Sequence, residues 1–196
     1  MAEHRDAIAA YFQRSAEALA RAASDRDLIA TVAAIAEAIV KALRAGGKVL
    51  VAGNGGSAAD AQHIVAELLS RYVQERNPLP AVALIDPAVL TGIGNDFGFE
   101  HVFARQVRGL GRRGDVFLAL STSGRSPSVL TALKAAREAG LVNVGFTGTR
   151  GSAMRELCDL CLVVPSDETA VIQQVYMTAA HAICAHVERE LGTSRT

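Results

Sequence analysis

His63, Glu67, Asp96, Gln173 and His181 are the side chains of this 196-residue sequence whose surroundings suit moving protons or holding a metal ion. His63 and Glu67 stand at i and i+4, so a helix puts them on one face about one turn apart. Such pairs are common on solvated helix faces, but this one follows a glycine turn in a segment rich in Ala, Ile, Val and Leu. His181 sits among Thr178, Ala179, Ala180, Ala182 and Ile183, where a hydrogen-bonded core histidine is the plainer alternative. His186, Glu188 and Glu190 read as solvated polar positions, and His4 and His101 have no partner that the sequence identifies.

Two turns offer a place for an anionic ligand. Lys48-Val49-Leu50-Val51-Ala52 reads as a short apolar strand and runs through Gly53-Asn54-Gly55-Gly56-Ser57 into a helix start. The glycines can take positive φ and let backbone N–H groups approach a ligand, and Ser57 is expected to cap a helix whose free amides and dipole favour negative charge. The pattern is neither a nucleotide P-loop nor G-x-G-x-x-G. The second turn is Ser121-Thr122-Ser123-Gly124-Arg125-Ser126-Pro127-Ser128 after another apolar run. Its hydroxyls, with Ser126 as a cap and Pro127 at the first helical position, suit a phosphate monoester without a lysine.

The elements that must position these turns alternate. Apolar runs at 81–85, 116–120, 142–147 and 160–164 follow the first strand, with helical segments at 57–75, 87–109 (broken around 92–98), 126–139, 151–157 and 168–191. That alternation predicts an α/β fold, a doubly wound parallel sheet with ligands at the carboxyl ends of its strands. Two helices, 3–22 and 26–45, precede it, the second opened by Ser24 or Asp25 and closed by Gly46-Gly47. The stripe Ile8, Phe12 and Leu19 on the first has no sheet face reserved for it and packs either on another subunit or on its own domain. With 50% hydrophobic residues, the chain suits one domain with a sizeable core. Twenty basic and twenty acidic residues leave no nucleic-acid footprint. No apolar run reaches the roughly 18 residues of a membrane span, and no signal-like h-region opens the chain, so a cytoplasmic protein is expected. Cys158, Cys161 and Cys184 are read as buried apolar residues rather than metal ligands.

Gly53 through His63, Gly94-Asn95-Asp96-Phe97-Gly98-Phe99, Ser121 through Ser126, and Ile172-Gln173 followed eight residues later by His181 together resemble bacterial phosphoheptose isomerases along nearly the whole chain. The resemblance implies a single sugar-isomerase (SIS) domain over 1–196, with a five-stranded, flavodoxin-like sheet. It also implies a homotetramer to which the helical hairpin 1–45 contributes. The implied reaction turns sedoheptulose 7-phosphate into D-glycero-D-manno-heptose 7-phosphate, the first step toward ADP-heptose for lipopolysaccharide. It assigns phosphate to Ser121, Thr122, Ser123 and Ser126. The rest of the substrate falls to Asn54, Gly55, Gly56, Ser57, Glu67, Asn95, Asp96 and Gln173. Glu67 and His181 become the acid/base pair of an enediol mechanism, and His63, Glu67, Gln173 and His181 the ligands of one Zn²⁺ per subunit. No nucleic-acid or membrane partner is implied.

One departure stands out. Many members read Ile-Gln-Glu-x-His where this chain has Ile172-Gln173-Gln174-Val175-Tyr176, so a carboxylate and a histidine are missing. Gln173 and His181 are also about 12 Å apart along one helix and reach one ion only with extended side chains or from different subunits. The rival is an SIS-domain regulator of replication initiation that binds the bacterial initiator protein. Such regulators lack the Glu and the late His that Glu67 and His181 match. A sugar-phosphate sensor, a third possibility, would keep the serine turn without needing Glu67.

Overall fold

Val49-Leu50-Val51-Ala52-Gly53 and Val116-Phe117-Leu118-Ala119-Leu120 are buried at every position, as strands covered on both faces must be. They form β1 (Val49–Gly53) and β3 (Val116–Leu120), paired in parallel from Val49 with Val116 to Gly53 with Leu120. The computed structural model describes residues 2–192. Among these, β2 (Ala81–Ala83), β4 (Val142–Gly148) and β5 (Leu160–Val164) complete a five-stranded, all-parallel sheet in the order β2-β1-β3-β4-β5. This is the expected α/β fold, and the winding reverses between β1 and β3, where such sheets open a crevice.

The helices cover both faces. On one side lie α2 (Arg26–Arg44), α3 (Gly56–Leu69) and α8 (Thr169–Leu191), with α1 (Ala2–Ser24) against them. On the other lie α4 (Pro87–Phe97), α5 (Val102–Leu110) and α6 (Pro127–Ala139), with the short α7 (Ser152–Arg155) beside them. Asp25 opens α2 by accepting the N–H groups of Asp27 and Leu28, both at 3.0 Å. On α1, Leu19 packs against the core while Ile8 and Phe12 remain 60% and 72% exposed, so the stripe is only partly used within the chain. No helix of the described residues is long and apolar enough to cross a membrane.

Several expected boundaries move, and long-range contacts explain the largest shift. α3 stops at Leu69 rather than 75 because the carbonyls of Glu67 and Leu68 accept from the guanidinium of Arg76. The next amides, Tyr72 to Gln74, donate to Glu188, which is buried rather than solvated. α4 runs unbroken through Gly92 and Gly94 and ends at Gly98, whose φ is +91°. Cys184 is buried as expected, but Cys158 and Cys161 are only half-buried.

Gly53 lets β1 end directly beneath the first turn of α3. A Cβ there would stand 2.7 Å from both Cβ and the carbonyl oxygen of Ser57, and backbone cannot step aside as a side chain can. Gly53→Ala should therefore destabilise the fold by about 1–3 kcal/mol. Gly92→Ala, in open space on α4, should be neutral or stabilising by up to about 1 kcal/mol. Urea unfolding midpoints compare the two, and an unchanged midpoint for Gly53→Ala would mean that the turn opens freely.

Candidate active site

The two turns lie side by side at the carboxyl edge, after β1 and β3, and one side chain joins them. Asn54 Nδ2 donates to Ser126 Oγ (2.8 Å) and Ser128 Oγ (3.0 Å). Ser126 occupies the N-cap position of α6 but does not cap it, because its hydroxyl is turned to Asn54. Within the serine turn, Ser121 Oγ accepts the N–H of Gly124 at 3.1 Å and Ser123 Oγ that of Arg125 at 3.3 Å. Gly124 has φ +59°, and a side chain there would strike Gly151 and Thr147. In the glycine turn only Gly55 uses positive φ (+56°), at the N-cap of α3. Ser57 lies inside the helix instead of capping it, and its hydroxyl is 2.9 Å from the phenol of Tyr176.

Further along α3, His63 and Glu67 meet His181 of α8. One ligand atom from each lies within 4.8 Å of the others. His63 Nε2 stands 3.1 Å from Glu67 Oε1 and 3.2 Å from His181 Nε2. A single nitrogen carries at most one proton, so it cannot satisfy a carboxylate and a second ring nitrogen as donor to both. A cation among the three resolves the conflict. Tetrahedral coordination with metal–nitrogen bonds of about 2.0–2.1 Å sets neighbouring ligand atoms about 3.3 Å apart, close to the two spacings at His63 Nε2. The donor set therefore fits a divalent ion such as zinc. Burial and then the charge of Glu67 push the Cys184 thiol up to about 12. His181 also faces a cavity of about 470 Å³ shared with Tyr11, Phe12, Leu19 and Met177.

Gln173 is engaged through its amide nitrogen. Its Nε2 donates to Asp60 at 2.9 Å and lies over Gly56, where a Cβ would come within 2.7 Å of it. Asp60 and Tyr176 are the polar residues that sequence reasoning missed. The buried phenol of Tyr176 donates to Asp60 at 2.5 Å and touches Ser57, and burial, then the bond to Asp60, keeps its pKa well above the ordinary phenol value. A signal was available: Ser57 and Asp60, like Gln173 and Tyr176, are three residues apart and share a helix face. The neighbouring departure, Gln174, donates to the hydroxyl of Tyr11 at 3.4 Å and so ties α8 to α1. Asn95 and Asp96 are exposed at the end of α4 and bonded to each other at 2.8 Å, with no hydrogen bond to another candidate residue among the described residues.

The SIS domain family matches residues 10–148. A phosphoheptose isomerase of Bradyrhizobium sp. (strain BTAi1) is 59% identical over 187 residues, covering 95% of this chain and 94% of that protein. One from Rhodospirillum rubrum is 50% identical, covering 95% of this chain and 98% of its own. Among solved structures, the phosphoheptose isomerase of Francisella tularensis superposes with a TM-score of 0.91 at 38% identity, over 95% of this chain and 98% of that one. That of Neisseria gonorrhoeae gives 0.88 at 41%, over 94% and 98%.

Tyr176→Phe removes the donor to a half-buried carboxylate and leaves Ser57 without its partner. Stability should fall by about 1–3 kcal/mol, the range for a buried polar group that loses its hydrogen bond. Urea unfolding measures this, and an unchanged free energy would show that Gln173 alone satisfies Asp60.

Proposed function

The chain belongs to the phosphoheptose isomerase family of SIS-domain proteins, and from that premise we propose how its two turns and its His-Glu-His cluster divide the work. It is a ketose–aldose isomerase that converts sedoheptulose 7-phosphate into D-glycero-D-manno-heptose 7-phosphate. The regulator and sensor alternatives lose their ground, since relatives 50–59% identical over most of the chain are phosphoheptose isomerases.

The serine turn, Ser121, Thr122, Ser123 and Ser126, holds the phosphate. Hydroxyls and amides at a helix start beside the winding reversal favour a dianion there. Asn54, Gly55, Gly56, Asn95, Asp96 and Gln173 attend the sugar chain. Ser57 contributes through its backbone, because its hydroxyl is engaged by Tyr176. Isomerisation removes a proton from C1 of the ketose, moves one between O1 and O2, and returns one to C2. Glu67 suits the carbon acid: Oε1 faces His63, which leaves Oε2 to take and return the proton. His181 serves the oxygens as general acid and base through its other ring nitrogen, Nδ1, since its Nε2 lies at the cluster where the ion would be held. A zinc ion held by His63, Glu67 and His181, one per subunit, would supply polarisation of the substrate carbonyl. Gln173, whose amide nitrogen is bound to Asp60, would offer its amide oxygen as the further ligand.

The convergence of His63, Glu67 and His181 carries this reading. The exposed Ile8 and Phe12 support a homotetramer built through α1. Three unpaired cysteines suit the reducing cytoplasm, and the zero net charge argues against a nucleic-acid partner. The product feeds ADP-heptose synthesis for lipopolysaccharide.

In D₂O, NMR should show loss of a C1 hydrogen of sedoheptulose 7-phosphate with wild-type protein and Zn²⁺. Glu67→Gln should slow that exchange by at least about a hundredfold. No exchange in wild type, with or without added Zn²⁺, refutes the isomerase; undiminished exchange in Glu67→Gln moves the base elsewhere. Ser121→Ala with Ser123→Ala should lower substrate affinity well over tenfold, at about 1.5–3 kcal/mol per charge-assisted bond. Calorimetric titration that finds affinity unchanged removes the phosphate from this turn.

A further inference from the structure

A buried ion pair joins the end of α3 to α8, and none of the chemistry above uses it. Arg76 is 8% exposed and Glu188 is 3% exposed. Arg76 Nη2 donates to the carbonyl of Glu67 itself at 2.7 Å, and Nη1 to Leu68 O at 2.8 Å and Asn77 O at 3.0 Å. Its Nε faces Glu188 Oε2 at 3.2 Å. Glu188 in turn accepts three backbone N–H groups, from Tyr72, Val73 and Gln74, each at 2.8 Å. Burial opposes the charge on Glu188, but these N–H groups and Arg76 outweigh it and hold the carboxyl below its usual range, so the pair is ionic. The ring of Tyr72 rests against His181 with centroids 6.0 Å apart. His181 stands seven residues before Glu188, about two turns up the same helix.

We propose that Arg76 and Glu188 are positioning residues that set Glu67 and His181 in the geometry needed to hold the divalent ion and transfer the proton. The inference rests on the isomerase reading and adds groups that act through the cluster without touching substrate. A buried ion pair is costly to desolvate, and apolar residues of the same volume would often serve stability as well or better. What apolar residues cannot do is bind the backbone of Glu67 and, through Tyr72, brace His181. The guanidinium grips two consecutive carbonyls at once, which fixes the last turn of α3 laterally and in rotation. Outer groups that orient metal ligands commonly change metal affinity or activity by about 10–100-fold.

The double variant Arg76→Met with Glu188→Gln removes both charges together, and the glutamine oxygen can still accept from Val73 and Gln74, with only the Tyr72 N–H losing its acceptor. It avoids the stranded buried charge that a single substitution leaves. Circular dichroism and urea unfolding should find it folded. Titration of metal-free protein with Co²⁺, followed by its visible d–d absorption, should show affinity lowered by about 10–100-fold, and kcat should fall over the same range. KM should change by less than about threefold, because the phosphate grip is intact. A folded double variant with wild-type Co²⁺ affinity, spectrum and kcat overturns the proposal. If the double variant does not fold, Arg76→Lys takes its place. One ammonium cannot serve both carbonyls and Glu188, so the same losses should appear in smaller measure, and wild-type values in that variant also overturn the positioning role. A wild type with neither turnover nor Co²⁺ uptake defeats the isomerase reading and the positioning role together, whereas an active wild type matched by its variants defeats only the latter.

Discussion

The register of α8 against α3 is the constraint on which the site depends. The cluster takes two groups from α3 and one from α8, so a slide of one helix along the other by a fraction of a turn would dissolve it. Polar contacts fix the register near both ends. Near the start of α3, the phenol of Tyr176 is held between Ser57 and Asp60. Beyond its end, Arg76 and Glu188 tie the last carbonyls of α3 to α8. Apolar packing between the same helices supplies most of the adhesion, but it is non-directional and tolerates small sliding. The hydrogen bonds select one position.

The architecture was legible because its signals are local. Five apolar runs separated by helical stretches can only become a parallel sheet covered on both faces, and the serine and glycine turns announce the edge where ligands bind. His63 and Glu67 were legible for the same reason, being one turn apart on one helix. What the sequence hid depends on contacts made across loops, most of them between residues more than a hundred positions apart. Glu188 reads as one more charge near a helix end, and only the loop at 72–74 makes it a buried acceptor. α3 looks able to continue past Leu69 on propensity, and Arg76 stops it by competing for its carbonyls. Gln173 matched a ligand motif, and nothing in the sequence showed that Asp60 would take its amide nitrogen.

The departure at Gln174 and Tyr176 acquires a physical meaning. A tyrosine at 176 fills a fully buried position and reaches across to α3 as a neutral donor that stays protonated. Gln174 turns its amide toward Tyr11 on α1.

α8 carries Gln173, Tyr176, His181 and Glu188 on contacts to three places: the Ser57–Asp60 turn of α3, the cluster and the 72–74 loop. Each helical residue advances the side-chain direction by about 100°. An insertion or deletion of one codon between 174 and 187 would leave the amphipathic character of the helix nearly intact while turning Glu188 out of phase with Gln173. Point substitutions along this helix can therefore be sampled one at a time, but its length is locked. Divergence by change of length is left to surface connections whose backbone makes no such shared contacts.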